Sequence, residues 1–427
     1  MRFTDFQLLA TGQTLSWVGN GFQTVALAVA VVQAGGGPGD LGLVMAASIV
    51  ARLVCTLFGG VWADRLQPQH VMVASDLVRL LAAGGMAVMF FGGAYHLPLL
   101  MALAALSTGA ASFFDPAFSA LRPLLVPPEN RQSANATLSM LQTGSQIAGP
   151  ALGGVTVAAF GASAGFTVNA FSFLASMVAA LLLRVRAERG DRTSMLSELA
   201  AGWREIAKRD WLLFGLFGAT VYHIANGVIL VLVQVVAIER LGGPSAAGFI
   251  AAAEGLGGVI GAAVALRFKP RRLLRAGWLT LLLMPLWALA YVWPAELIAV
   301  IAGAIIGYAG LIFFDVAWET AIQDNVPQRM LGRVSSWDYL TSFLAMPVGN
   351  VLAGPLEATY GTSKVLTVCA AVLFLSAATQ FLVPGTRTLT RATAASPADP
   401  GPVPELPDAV KEPHPEQQST AVSPVRR

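Results

Sequence analysis

Charge is what this chain has least of. Asp, Glu, Lys and Arg make up 12% of its 427 residues, against 55% hydrophobic residues; soluble domains carry roughly 25% charged residues. So few charges cannot cover a water-facing surface, so a soluble globular domain is excluded and lipid is the solvent. Cysteine is scarce as well. Cys55 and Cys369 both fall in apolar stretches, where they read as small buried residues and not as a disulfide pair. Four scattered histidines and two distant cysteines make no metal site, so no metal and no cofactor is expected. No GxxxxGK[ST] phosphate loop occurs, which rules out ATP as the direct energy source. The Gly-rich run at 35–39 is a short turn, and no catalytic constellation marks an enzyme. The net charge of +3 implies no nucleic-acid partner.

What is present is apolar length. A hydrocarbon core about 30 Å thick needs roughly 20 apolar residues per helix. Such stretches occur twelve times, near 6–34, 41–63, 71–92, 97–121, 132–160, 164–184, 211–238, 245–267, 275–293, 296–320, 335–356 and 364–383. They lack strand alternation, so they read as helices, and only helices or closed barrels satisfy the backbone in lipid. No cleavable leader is expected, because a span starts at once.

The chain also repeats itself. Phe113-Phe114-Asp115 recurs as Phe313-Phe314-Asp315, and Val126-Pro127 as Val326-Pro327. Gly149, Leu152, Gly154 and Gly161 recur as Gly349, Leu352, Gly354 and Gly361, all at an offset of 200 without a gap. A second echo has offset 206: Asn20-Gly21, Gly37-Pro38 and Gly42 against Asn226-Gly227, Gly243-Pro244 and Gly248. The expectation is an all-α membrane protein of 12 transmembrane helices in two pseudo-symmetric six-helix halves. Paired halves of this kind enclose a substrate site between them. The domain boundaries expected are an N-terminal half at 1–186, a linker at 187–210, a C-terminal half at 211–385 and a tail at 386–427.

Basic residues set the orientation. With the N-terminus in the cytoplasm, 23 Lys and Arg fall on the cytoplasmic side and two, Arg240 and Lys364, on the other; Arg52 and Arg79 lie within spans. That asymmetry predicts two cytoplasmic termini. In the linker, Met195, Leu199, Trp203 and Ile206 recur at helical spacing, which predicts an amphipathic helix on the inner membrane face. The tail is rich in Pro and polar residues and is expected to be disordered cytoplasm.

Gly60-Val61-Trp62-Ala63-Asp64-Arg65, after the second span, resembles the loop motif of the major facilitator superfamily. Where that family continues with Gly and basic residues, Gln67-Pro68-Gln69-His70 follow here. Gly149-Pro150-Ala151-Leu152-Gly153-Gly154 resembles the core of its antiporter motif. Asp64-Arg65 through Asp76 and Arg79, with Phe113 to Ala117, resembles the branch holding the enterobactin exporter and macrolide efflux proteins. The resemblance covers residues 1 to about 385. It implies the major facilitator fold and a monomer in the cell (inner) membrane. It also implies proton-coupled export of an amphipathic small molecule, a drug or siderophore-like metabolite, by alternating access. An importer or facilitator of the same fold, or a non-transporting receptor or scaffold, remains the alternative.

In that family Gly60, Asp64 and Arg65 form a gate, which Asp76 and Arg79, three residues apart, would support as an ion pair. Gly149, Pro150, Gly153 and Gly154 allow close approach between helices, at a moving interface or in simple tight packing. Polar stripes put Gln13, Trp17, Asn20, Arg52, His223, Asn226 and Tyr308 on a candidate substrate cavity. Glu254, Asp115, Asp315 and Glu319 are the proton-coupling candidates. Glu254 leads because it has no fixed partner in sequence, while Asp115 is as well read as a permanent pair with Arg52.

Overall fold

The computed structural model describes residues 3–63, 67–127, 130–183, 202–292, 295–327 and 330–390. The first half holds α1 (Phe3–Gln33), α2 (Pro38–Ala63), α3 (Pro68–Phe91), α4 (Leu97–Leu125), α5 (Arg131–Phe160) and α6 (Ala162–Leu182). The second holds α7 (Asp210–Arg240), α8 (Pro244–Arg267), α9 (Leu273–Leu281), α10 (Met284–Leu289), α11 (Leu297–Asn325), α12 (Leu331–Tyr360) and α13 (Thr362–Thr379). Ten of these are long and apolar enough to cross a bilayer.

Two further crossings complete twelve. α5 is too polar in its first half, where Ser133, Asn135, Thr137, Ser139, Gln142 and Gln146 lie; Ser133 and Thr137 line a separate cavity of about 670 Å³ against α1 and the end of α4. The ninth crossing, expected as one helix over 275–293, is broken into α9 and α10. Pro285 has no N–H to give and its ring clashes with the preceding turn, so Leu283 and Leu286 turn instead onto the carbonyls of Thr280 and Leu283, each at 3.0 Å. Apolar side chains such as Phe91, Val88 and Ile298 point outward, as lipid-facing residues do.

Within each half the helices pair alike: α1 packs on α5 and α6, and α7 on α12 and α13. The halves meet along two seams, α5 with α8 and α2 with α12. Repeated glycines make both. A methyl group added at Gly154 of α5 would stand 2.8 Å from Cα of Gly248 on α8. Gly354 of α12 lies in the same way against Gly39 of α2. Inside the halves, a methyl at Gly149 would meet Gly21 Cα at 3.2 Å, and one at Gly349 would meet Gly227 Cα at 3.1 Å. Both offsets of the repeat are therefore backbone contacts.

Gly161 and Gly361 carry the turns from α5 to α6 and from α12 to α13 in the left-handed region, at φ 81 and 79. Only glycine takes that conformation cheaply. These turns, those at 34–37 and 241–243, and both seams lie at one end of the bundle, opposite residues 3 and 390. We call this the distal end, and the other the proximal end.

At the proximal end a short helix over 202–207 precedes α7. Ile206 is fully buried and Trp203 packs on Trp337 at 5.1 Å; Met195 and Leu199 lie outside the described residues. Glu205 binds Lys208 at 2.8 Å and Arg209 at 2.7 Å, and these two hydrogen-bonding cations hold its carboxyl below the usual carboxylate range. Arg209 also donates to the carbonyl of Asn325, 3.0 Å away. The packed body runs past 385, where a tail was expected from 386. α14 (Pro384–Thr388) folds back so that Gly385 donates to Asp210 at 3.0 Å and Thr386 is buried. Residues 391–427 lie outside the description.

Candidate functional site

A cavity of about 370 Å³ opens among α1, α2, α3 and α4, and one side chain of the other half, Gln234 of α7, closes its wall. Its polar lining is Asn20, Gln23 and Thr24 from α1, Ser48 and Arg52 from α2, Arg79 from α3, and Ser107 and Thr108 from α4. A charge at membrane depth must be paired or face water, and both arginines obey that rule. Arg79 is buried, 3.1 Å from Asp76 one turn away on its own helix, and donates to Asn20 of α1 at 3.2 Å. Its guanidinium lies 3.9 Å over the ring of Phe173 on α6. Arg52 reaches Asp115 of α4 at 3.5 Å, and Ser112 of α4 donates to the Arg52 carbonyl at 3.1 Å.

A smaller cavity of about 70 Å³ adjoins this one and shares Thr24 and Gln234 with it. It lies where α1 meets α7 and α8, and Glu254 forms part of its wall. Glu254, which has no fixed partner in the sequence, has aromatic neighbours in the fold: Tyr308 of α11, Tyr291 and Trp287 stand beside it. The break at Pro285 aims Trp287 inward, edge-on to Tyr308 at 5.5 Å.

The second half also carries an acidic cluster. Asp315 and Glu319 lie one turn apart on α11, both exposed, and Asp338 of α12 joins them. The indole of Trp318 donates to Asp338 at 3.1 Å. Asp115 and Asp315 thus hold equivalent places in unlike surroundings, the first beside arginines and the second beside carboxylates.

The structure brings together some of the residues expected at one cavity and separates others. Asn20 and Arg52 share the larger cavity, and Tyr308 lies by Glu254. Trp17 packs edge-on against Phe118 at 6.2 Å, in the core of the first half. Gln13 lies two turns from Asn20 on the same helix but does not line the cavity; it is buried, with its side-chain oxygen unpaired among the described residues. Asn226 is buried on α7, two turns from Gln234. His223 has Nδ1 2.7 Å from the carbonyl oxygen of Ala219, so that nitrogen carries its proton. Asp76 and Arg79, expected as an ion pair supporting a gate, do form that pair, and Arg79 also reaches the cavity wall. Asp64 and Arg65 lie outside the described residues, and Gly60 is placed only as backbone in the last turns of α2. Gly149 faces Gly21, Gly153 faces Phe22, and Gly154 and Pro150 face Gly248 across the seam.

Sequence reasoning missed Gln23, Gln234, Asp338 and Trp287. The one available signal was Gln234, a lone amide in the run Val231-Leu232-Val233-Gln234-Val235-Val236.

Two six-helix halves around a polar cavity that both of them line are the build of a membrane transporter. Residues 9–350 match the sequence profile of the Major Facilitator Superfamily, and the chain belongs to that superfamily. It is 28% identical over 362 residues to the multidrug efflux pump Tap of Mycolicibacterium fortuitum, covering 80% of this chain and 87% of the relative. It is 24% identical over 324 residues to macrolide efflux protein A of Enterococcus faecalis, covering 72% and 98%. These relatives agree with the efflux branch that the motifs resemble. Among solved structures, a bacterial homologue of the iron transporter ferroportin in its inward-facing state matches with a TM-score of 0.70 at 16% identity, over 90% of this chain and 99% of that one. The nucleoside transporter NupG matches with a TM-score of 0.70 at 11% identity, over 91% and 100%. At such identities the likeness concerns the fold.

Proposed function

We propose that this transporter is a proton-coupled exporter of an amphipathic small molecule, working by alternating access in the cell membrane. The observation that carries the reading is the pair of glycine seams at the distal end, with the cavity and Glu254 just beneath them. The 23 basic residues on the side of the termini favour a cytoplasmic location for both,; on that reading the distal end is the outer one and the cavity loads from inside. Efflux proteins among the relatives support the direction.

Glu254 is the proposed proton carrier: it lies at membrane depth, beside the cavity, with no cation paired to it among the described residues. Asp115, Asp315 and Glu319 are the further candidates, and Gly149, Pro150, Gly153 and Gly154 the surface on which the halves part. Glu254 and the cavity touch through Thr24 and Gln234, which gives coupling a short physical path.

The test is transport in inverted and right-side-out vesicles under an imposed pH gradient. Accumulation of a fluorescent amphipathic dye in inverted vesicles, abolished by a protonophore, is the expected result. Accumulation only in right-side-out vesicles would sink the export reading, and insensitivity to the protonophore would sink proton coupling.

A further inference from the structure

The charged lining of the larger cavity is all of one sign. Arg52 and Arg79 reach the wall beside the neutral amides of Asn20 and Gln234, and among the described residues no carboxylate lines it. The aspartates that balance the arginines stand outside that wall, Asp76 at 3.1 Å from Arg79 and Asp115 at 3.5 Å from Arg52. The cavity thus sees the positive ends of two ion pairs.

The two arginines are held differently. Arg79 is buried and tied to Asp76, Asn20 and an aromatic face; its geometry is fixed. Arg52 is 43% exposed, and its one ion pair among the described residues, at 3.5 Å, is longer than the roughly 2.7–2.9 Å of a charge-assisted hydrogen bond,. Its planar fork therefore has donors to spare, and a fork of this kind matches a carboxylate, sulfonate or phosphate in two parallel bonds. Asp115 is 61% exposed, so it is not stranded without solvent when its partner leaves.

We propose that this cavity is an anion subsite, in which Arg52 receives an anionic group of the transported molecule and gives up Asp115 in exchange. Arg79 supplies a fixed positive field, and Gln234 brings the second half into contact with the bound molecule. The inference rests on reading the chain as a transporter whose cargo passes this cavity, and it adds the class of cargo: amphipathic molecules bearing one anionic group. A cavity of about 370 Å³ holds such a group with a small ring system.

The full chain in phosphatidylcholine nanodiscs, with empty discs subtracted, is titrated with two probes that differ by one group. These are 1-anilinonaphthalene-8-sulfonate and its neutral parent, N-phenyl-1-naphthylamine. The wild type is expected to bind the sulfonate about tenfold more tightly, the scale of one charge-assisted pair. Arg52→Gln should remove the preference, and Asp115→Asn, which deletes the competing carboxylate, should strengthen it. Equal affinities in the wild type, a preference that survives in Arg52→Gln, or one that weakens in Asp115→Asn would each overturn the proposal. If Arg52→Gln does not fold, the Asp115→Asn arm still decides. A parallel set of discs containing phosphatidylglycerol separates cargo from lipid: loss of sulfonate binding there would assign the subsite to an anionic headgroup and overturn the cargo class. Binding at equilibrium needs no gradient, so failure of the export reading leaves this result standing, and the reverse holds too.

Discussion

Arg52 of α2 stands 3.5 Å from Asp115 of α4, while the repeat's equivalent aspartate, Asp315, faces Glu319 and Asp338 instead of a cation. One duplicated residue thus has two electrostatic settings, and the difference follows from what neighbouring helices present. α2 carries an arginine where it passes α4. α12 presents an aspartate to α11. The fold is symmetric and its charge is not.

The buried pair Asp76–Arg79 should behave as a unit. Removing Arg79 alone leaves a buried carboxylate, a loss of about 3–5 kcal/mol for broken buried pairs. Arg79→Ala is expected to lower the melting temperature sharply, and Asp76→Ala/Arg79→Ala to recover much of it. Thermal unfolding in detergent, read as a double-mutant cycle, checks this. Additive losses would mean that the pair is not coupled.

The seams make a steric prediction. A methyl at Gly154 would stand 2.7 Å from the Pro244 carbonyl and 2.8 Å from Gly248, and overpacking of this sort costs about 1–3 kcal/mol. Gly154→Val is expected to hold the distal end open. A cysteine at Pro38 should then become reactive to an impermeant maleimide from outside, in a background with Cys55 and Cys369 replaced. Labelling equal to that of the parent would contradict the seam.

For Glu254, the readout is coupling and not rate. Glu254→Gln should abolish accumulation against a gradient while leaving exchange of labelled for unlabelled cargo within about threefold, since a carboxamide keeps the shape and loses the exchangeable proton. A variant that still concentrates cargo with full pH dependence would remove Glu254 from the proton path.

Glu205 gives a prediction in pH. Its carboxyl is held below its ordinary value by Lys208 and Arg209, so the stability it contributes is present above the ordinary carboxylate pKa and is lost as pH falls through the lowered one. The difference in melting temperature between the wild type and Glu205→Gln should stay constant from neutral pH to about 5 and vanish at more acid pH, below about 4. A difference that grows on acidification would contradict the sign.

Much of the fold was legible because lipid leaves little choice. Long apolar runs must be helices, and Gly149 and Gly154 were legible as sites of close helix approach, while Gly349 and Gly354 stood out only as their repeats. The break at Leu282–Leu283 was signalled by Pro285 but overridden by the apolar run around it. The site was legible only in part. Spacing along one helix identified Asp76 with Arg79, yet Arg79 reaching Asn20 on α1 depends on the rotation of α3 about its own axis, which no single sequence encodes. Asp338 and Trp287 were missed for the same reason. Each matters through what lies opposite it on another helix.

The one-residue turns at Gly161 and Gly361 leave no slack between α5 and α6 or between α12 and α13. α5 and α12 are therefore yoked to the helices that follow them. In the alternating access proposed above, α5 leaving α8 would carry α6 along, and α6 is packed against α1 and α3, so displacement at that seam would reach two helices that line the cavity. Lengthening either turn by a few glycines would put play into that linkage, leaving the folded bundle intact while the two ends of the stroke fell out of step.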